Sequence, residues 1–133
     1  MQIVHLCRHA TAAEGEPDEL RELTPQGVDQ ARALGRRLAT SPDPPGVVLT
    51  SPLVRARQTA ELVAEETGAE VRVEPLLAPG ATVHALRSAV LDAGGPVATV
   101  GHQPDCSEIA LAVTGRDPGF PPGGVARLEL DAD

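Results

Sequence analysis

Four side chains in this sequence are of the types that phosphoryl chemistry needs: Arg8, His9, Arg55 and His102. Guanidinium forks match the geometry of phosphate oxygens and stay charged at any relevant pH. A neutral imidazole can attack phosphorus and form a covalent phosphohistidine, which water then cleaves. Arginine charges beside His9 would disfavour its protonation and keep it nucleophilic at neutral pH. The same charges would stabilise the oxygens of the group in transfer. With cationic side chains in that role the chemistry requires no metal.

These residues matter only if the chain brings them together. "QIVHLC" (2–7) reads as a first strand, apolar enough to be covered on both faces, and Arg8-His9 follow it directly. Residues 8–23 are polar and acidic and read as a long loop. Thr24 and Pro25 then give an N-cap and a first helical position, with Val28, Ala31, Leu34 and Leu38 at helical spacing. "VVLT" (47–50) is a second strand, and Ser51-Pro52 repeats the cap-and-proline start of a helix. That helix carries Leu53, Ala56, Ala60 and Val63 on one face and places Arg55 in its first turn, where an anion is favoured.

"AEVRVEP" (69–75) is predicted as a third strand. A helix with Val83, Leu86 and Val90 as its stripe is closed by Gly94-Gly95. "PVATVGH" (96–102) is a fourth strand, and Asp105 with Glu108 has the spacing of a capping box on the next helix. "GVARLELDAD" (124–133) alternates cleanly and reads as an edge strand. The β-α repetition predicts an α/β fold, a three-layer α/β/α sandwich with a mostly parallel central sheet and an edge C-terminal strand. Ligands of such sheets bind beyond the carboxyl ends of the strands. Arg8-His9, Ser51 to Arg55 and Gly101-His102 all follow strands, so all can reach one rim.

Composition narrows the function further. At 133 residues the chain is expected to be a single domain, 1–133, with a core of Leu, Val, Ile and Ala, because Phe120 is its one aromatic ring of the Phe, Tyr and Trp types. No base-stacking platform is available. The net charge of −8 and pI near 4.9 argue against nucleic acid or an anionic membrane as partner. All eleven basic residues are Arg, which excludes a Schiff-base lysine and a phosphate-binding P-loop. Cys7 and Cys106 show no metal-ligand spacing, so neither a metal nor another cofactor is expected. The lack of a membrane-length apolar run or signal pattern leads to the expectation of a cytoplasmic protein with reduced thiols.

"LCRHATA", "LTPQGVDQA", "TSPLVRARQTA" and "VGHQPDCSE", in this order and spacing, resemble the histidine phosphatase superfamily, also called phosphoglycerate-mutase-like. The family's Arg-His-Gly signature falls on Arg8-His9-Ala10, its SPLxRAxQTA element on Ser51 to Ala60 and its GHxP element on Gly101 to Pro104. The resemblance spans residues 2 to about 108. It implies that His9 is the nucleophile and that Arg8, Arg55 and His102 form the phosphate pocket. Within the superfamily the chain is most similar to the small SixA-type phosphohistidine phosphatases, since 133 residues leave no room for large substrate-shaping insertions. "DELRELTPQG" resembles the DxxRxLTxxG of the small members, which places Asp18 and Arg21 on a loop able to fold over the pocket. Arg21 then becomes a candidate phosphate ligand and Asp18 a candidate general acid.

Two departures bear on the substrate. Ala10 replaces the signature glycine and is tolerated only if φ there is negative. Mutase-like members carry a glutamate acid after the third strand, whereas this chain has Ala78 at that place and Glu74 at the strand's end. Expelling an alkoxide needs a proton donor; the less basic imidazole of phosphohistidine can leave without a dedicated one. The expected function is therefore a phosphatase acting through His9 on phosphohistidine of a protein. A small-molecule phosphate ester phosphatase and a non-catalytic phospho-ligand binding module are the alternatives. The remaining polar residues have plainer expected roles: His5 as a structural strand histidine, His84 and Arg57 at the surface, Glu108 as a cap, and Cys7 and Cys106 as buried thiols.

Overall fold

The computed structural model describes residues 1–131. Its five strands are β1 (Gln2–Arg8), β2 (Val47–Thr50), β3 (Glu70–Val73), β4 (Val97–Gly101) and β5 (Val125–Leu130). They lie in the order β3-β2-β4-β1-β5, and only the β1–β5 pairing is antiparallel. Helices α1 (Pro25–Ala39) and α2 (Val54–Thr67) lie against one face. Their core holds Leu34, Leu38, Ala56, Ala60 and Val63 against Val48, Ala98 and Val100 of the sheet. Helices α3 (Val83–Val90) and α4 (Asp105–Thr114) cover the other face, where Leu86, Val90 and Ile109 meet Val4, Leu6, Leu49 and Val97. The period-2 alternation of the strands sends neighbouring apolar residues into opposite cores. This is the expected three-layer α/β/α architecture with β5 at an edge. Leu128 and Leu130 of β5 are buried, while Arg127 and Glu129 are exposed; the last two residues of the predicted strand lie outside the described residues.

Helix α1 starts as its sequence dictates: Pro25 occupies the first turn and the Thr24 hydroxyl accepts the Gly27 N–H at 3.0 Å. Four expectations need correction. Ser51 does not cap α2, which begins at Val54 with no side-chain cap, because the Ser51 hydroxyl is engaged where β2 ends. Asp105 and Glu108 form no capping box. Pro104 occupies the cap position, and the Asp105 carboxylate instead accepts the N–H groups of Gly80 and Ala81 at 2.8 and 3.1 Å. Helix α3 ends at Val90, short of Gly94-Gly95. The third strand stops at Val73, since Glu74 turns to accept the Leu76 N–H at 3.0 Å and starts a 3-10 turn over Pro75–Leu77. The loop after β1 holds a second 3-10 turn, Asp18–Leu20.

Register is what delivers the site. β1 and β4 run parallel with Arg8 opposite Gly101, and β2 and β4 with Thr50 opposite Val100. The bonds continue one residue further, His9 N–H to Gly101 O and Ser51 N–H to Val100 O, each at 3.0 Å. Three strands thus end level, and the residues after them share one rim.

Candidate functional site: a cationic cleft at the strand ends

Beyond these ends lies an open cleft of about 420 Å³ that takes in Arg8, His9, Asp18, Arg21, Arg55 and His102. All six residues singled out in the sequence are therefore brought together. A second cleft, of about 360 Å³, lies at the opposite end of the sheet against Gln2, Arg87, Leu91 and Leu130 and contains no candidate nucleophile.

The turn that carries His9 is fixed by groups far away in sequence. The Ala10 N–H donates to Thr59 Oγ1 at 3.1 Å, and Thr59 Oγ1 donates to the Arg55 carbonyl one helical turn back. The Thr11 N–H donates to Gln30 Oε1 at 2.8 Å, and the Leu23 N–H to Gln58 Oε1 at 2.8 Å. The Thr11 carbonyl lies so close to Gly27 that a Cβ there would collide with it, which is why the LTPQG segment ends in glycine. Among the described residues no non-glycine has positive φ, so Ala10 takes the place of the signature glycine without strain.

The His9 ring is held in one tautomer. Its Nδ1 lies 2.7 Å from the Ala10 carbonyl oxygen, which can only accept, so Nδ1 carries the hydrogen and Nε2 keeps its lone pair. Burial pushes the His9 pKa down to about 4, and the charges of Arg55, Arg8 and Arg21 add to this against the upward pull of the Ala10 bond. At neutral pH His9 is an uncharged base. Its ring centroid lies 5.2 Å from that of His102. His102 is likewise pushed to about 4, by burial first and then by His9 and Arg55.

Around these rings the donors are incompletely used. Arg8 donates from Nη1 to the Phe120 carbonyl at 2.9 Å, while its Nε is buried without a partner among the described residues. Arg55 is 6% exposed and its Nε is unpaired in the same way. His102 Nε2 lies 2.7 Å from Ser51 Oγ, and its Nδ1 is buried and unpaired. Leaving a buried donor unpaired costs free energy unless a ligand completes it. Arg8 Nε and Arg55 Nε are two such donors, His102 Nδ1 is an unpaired nitrogen beside them, and all three residues line the one cleft, a set that fits an oxyanion.

Asp18 and Arg21 do fold over the cleft. Asp18 accepts from Arg21 Nε at 2.9 Å and from Arg55 Nη2 at 3.2 Å, and its carbonyl accepts Arg55 Nη1 at 2.9 Å. Arg21 first, and Arg55 with it, hold the Asp18 carboxyl below the usual carboxylate range, so it has no proton to give at neutral pH. Ala78 supplies no acid either, and Glu74 is spent on Leu76. The bland expectations also find their places: His5 donates to the Asp43 carbonyl at 2.7 Å, His84, Arg57 and Glu108 are exposed, and Glu108 caps nothing. Cys7 and Cys106 are buried in opposite cores.

Sequence reasoning passed over Thr59, Gln30, Gln58 and the true roles of Ser51 and Asp105. Thr59 carried a usable signal, four residues after Arg55 and hence on the same helix face. The glutamines carried none, since their partners lie 19 and 35 residues away.

Comparison with known proteins places this arrangement. The family model for the histidine phosphatase superfamily (branch 1) matches residues 4–78. An uncharacterised protein of Picosynechococcus sp. is 37% identical over 120 residues, covering 83% of this chain and 72% of that protein. Among solved structures, that of the protein histidine phosphatase SixA complexed with tungstate superposes with a TM-score of 0.87 at 27% identity, covering 98% of this chain and 90% of that one. The SixA structure from Agrobacterium tumefaciens gives 0.82 at 27% identity, covering 96% and 91%. The family match takes in β1, β2 and the helix that bears Arg55, and this protein is accordingly a phosphatase of the histidine phosphatase superfamily.

Proposed function

We propose that this phosphatase removes the phosphoryl group from phosphohistidine on a protein, by way of a covalent intermediate on His9. The observation that carries the reading is the set of buried, unpaired nitrogens, Arg8 Nε, Arg55 Nε and His102 Nδ1, around an uncharged His9. The phosphoryl oxygens accept from these nitrogens and from Arg21, which turns from Asp18. His9 Nε2 attacks phosphorus with its lone pair, and the bond from phosphorus to the substrate imidazole breaks. That imidazole takes its proton from solvent. Water then attacks the phosphorus on Nε2, orthophosphate leaves, and the lone pair returns to His9. The guanidinium groups carry the charge of both transition states, so the steps call on no metal.

The leaving group selects the substrate class. Ala78 and an ionised Asp18 leave the cleft without a proton donor. An alkoxide leaving group is penalised by that lack, whereas an imidazole is not. The similarity to SixA, whose name is that of a protein histidine phosphatase, supports the same choice. The net charge of −8 weighs against a nucleic-acid substrate, and the two free buried thiols suit the cytoplasm.

The test is turnover without added metal of a phosphohistidine-bearing protein, p-nitrophenyl phosphate and a sugar phosphate. Phosphohistidine should be preferred by kcat/KM by at least about a hundredfold over the sugar phosphate, the scale of one general-acid contribution. Comparable turnover of the sugar phosphate would overturn the leaving-group argument and make this a small-molecule phosphatase.

A further inference from the structure

The Ser51 hydroxyl is fully buried and has two neighbours. It accepts the Leu53 N–H at 3.3 Å, and it lies 2.7 Å from His102 Nε2. A hydroxyl has one hydrogen to give, and the bond to His102 can be drawn in two ways. If Nε2–H donated to Ser51, the serine hydrogen would have no acceptor, since no other acceptor is paired with it among the described residues. That would leave a buried donor unsatisfied. If Ser51 donates to Nε2, its hydrogen is used, its oxygen still receives the Leu53 N–H, and the proton of the neutral ring must sit on Nδ1. Nδ1 is the buried atom of His102 that lacks a protein partner.

We infer that Ser51 is a positioning residue that fixes His102 as its Nδ1–H tautomer, so that the uncharged ring gives a hydrogen bond to the bound phosphoryl group. This rests on the phosphoryl-binding reading of the cleft and adds a division of labour to it. His9 is held with its hydrogen on Nδ1 by a carbonyl and offers a lone pair; His102 is held with its hydrogen on Nδ1 by a hydroxyl and offers a donor. One ring is set to attack and the other to stabilise, although both are neutral. A serine ahead of Pro52 reads in the sequence as a helix cap, and the buried bond to His102 gives it this different use.

The wild-type protein alone supplies the first test. In nitrogen-15 spectra of histidine-labelled protein at pH 7, His102 should show a protonated Nδ1 and an unprotonated Nε2. The reverse pattern would overturn the inference whatever the enzyme hydrolyses. Ser51→Ala should then give a mixed tautomer signal for His102, leave the His9 pattern unchanged and weaken tungstate binding by about tenfold, the scale of one hydrogen bond. Adding Ser51→Ala to His102→Ala should cost little more than His102→Ala alone. Full additivity, or an unchanged His102 signal in the variant, would assign Ser51 a purely structural role. Tautomer and tungstate affinity are read without turnover, so a failed phosphohistidine assay would count against the substrate and not against Ser51.

Discussion

His9 Nδ1 lies 2.7 Å from the carbonyl oxygen of the residue that follows it, Ala10. That single contact decides which nitrogen is free, because a carbonyl accepts and never donates. The ring is thus oriented by its own backbone, and burial first, with the neighbouring arginines, keeps it uncharged.

Its titration follows. A ring titration by NMR should give His9 an inflection near pH 4; one near the ordinary 6.5 would mean that burial and the arginines do not act as described. The native pKa lies below the unfolded one, so between about 6.5 and 4 the unfolded chain binds the proton first. The stability tied to His9 is therefore full above pH 6.5 and falls as pH drops through that window. Urea midpoints at pH 7.5 and 5 should differ in this sense, and by less in His9→Ala.

Asp18 lies across Arg21 and Arg55 where phosphoryl oxygens are proposed to go. Asp18→Asn should bind tungstate several-fold more tightly, since the internal anion no longer competes. Turnover of a sugar phosphate, whose alkoxide leaving group needs an acid, should change little. A loss of a hundredfold or more would instead identify Asp18 as the proton donor.

Gly27→Ala places a methyl group against the Thr11 carbonyl. It should destabilise the protein by roughly 1–3 kcal/mol, the usual cost of overpacking, and should lower kcat/KM by shifting the turn that carries His9. Gly46→Ala, whose added carbon meets nothing within 4 Å, is the control and should melt like the wild type.

Cys7 and Cys106 should resist alkylation until the chain unfolds. Burial raises both thiols, Cys7 beyond any useful range and Cys106 to about 12, so almost no thiolate is present at neutral pH. Rapid labelling of the native protein would show that one of them is reached from the cleft.

Much of this molecule could be read before its structure. Thr24-Pro25, the Leu34/Leu38 stripe and the apolar runs that became β1, β2 and β4 obey local rules, and they carry Arg8, His9, Arg55 and His102 to one rim. What escaped was decided by distant partners. Ser51 and Asp105 look like helix caps because a cap needs only the next few residues. Each is instead claimed by a group far along the chain: His102, 51 residues on, and the Gly80-Ala81 backbone, about 25 residues back. The bond between Asp18 and Arg55 spans 37 residues and has no local trace.

If His9 takes the phosphoryl group as proposed, it can be trapped there. Protein mixed with phosphohistidine-bearing substrate and quenched in alkali should carry an alkali-stable phosphoryl group on His9, located by peptide mass spectrometry. His9→Ala should carry none and should release no orthophosphate above background. Orthophosphate release from His9→Ala at a rate near that of wild type, with no phosphoryl group on any histidine, would contradict the covalent route.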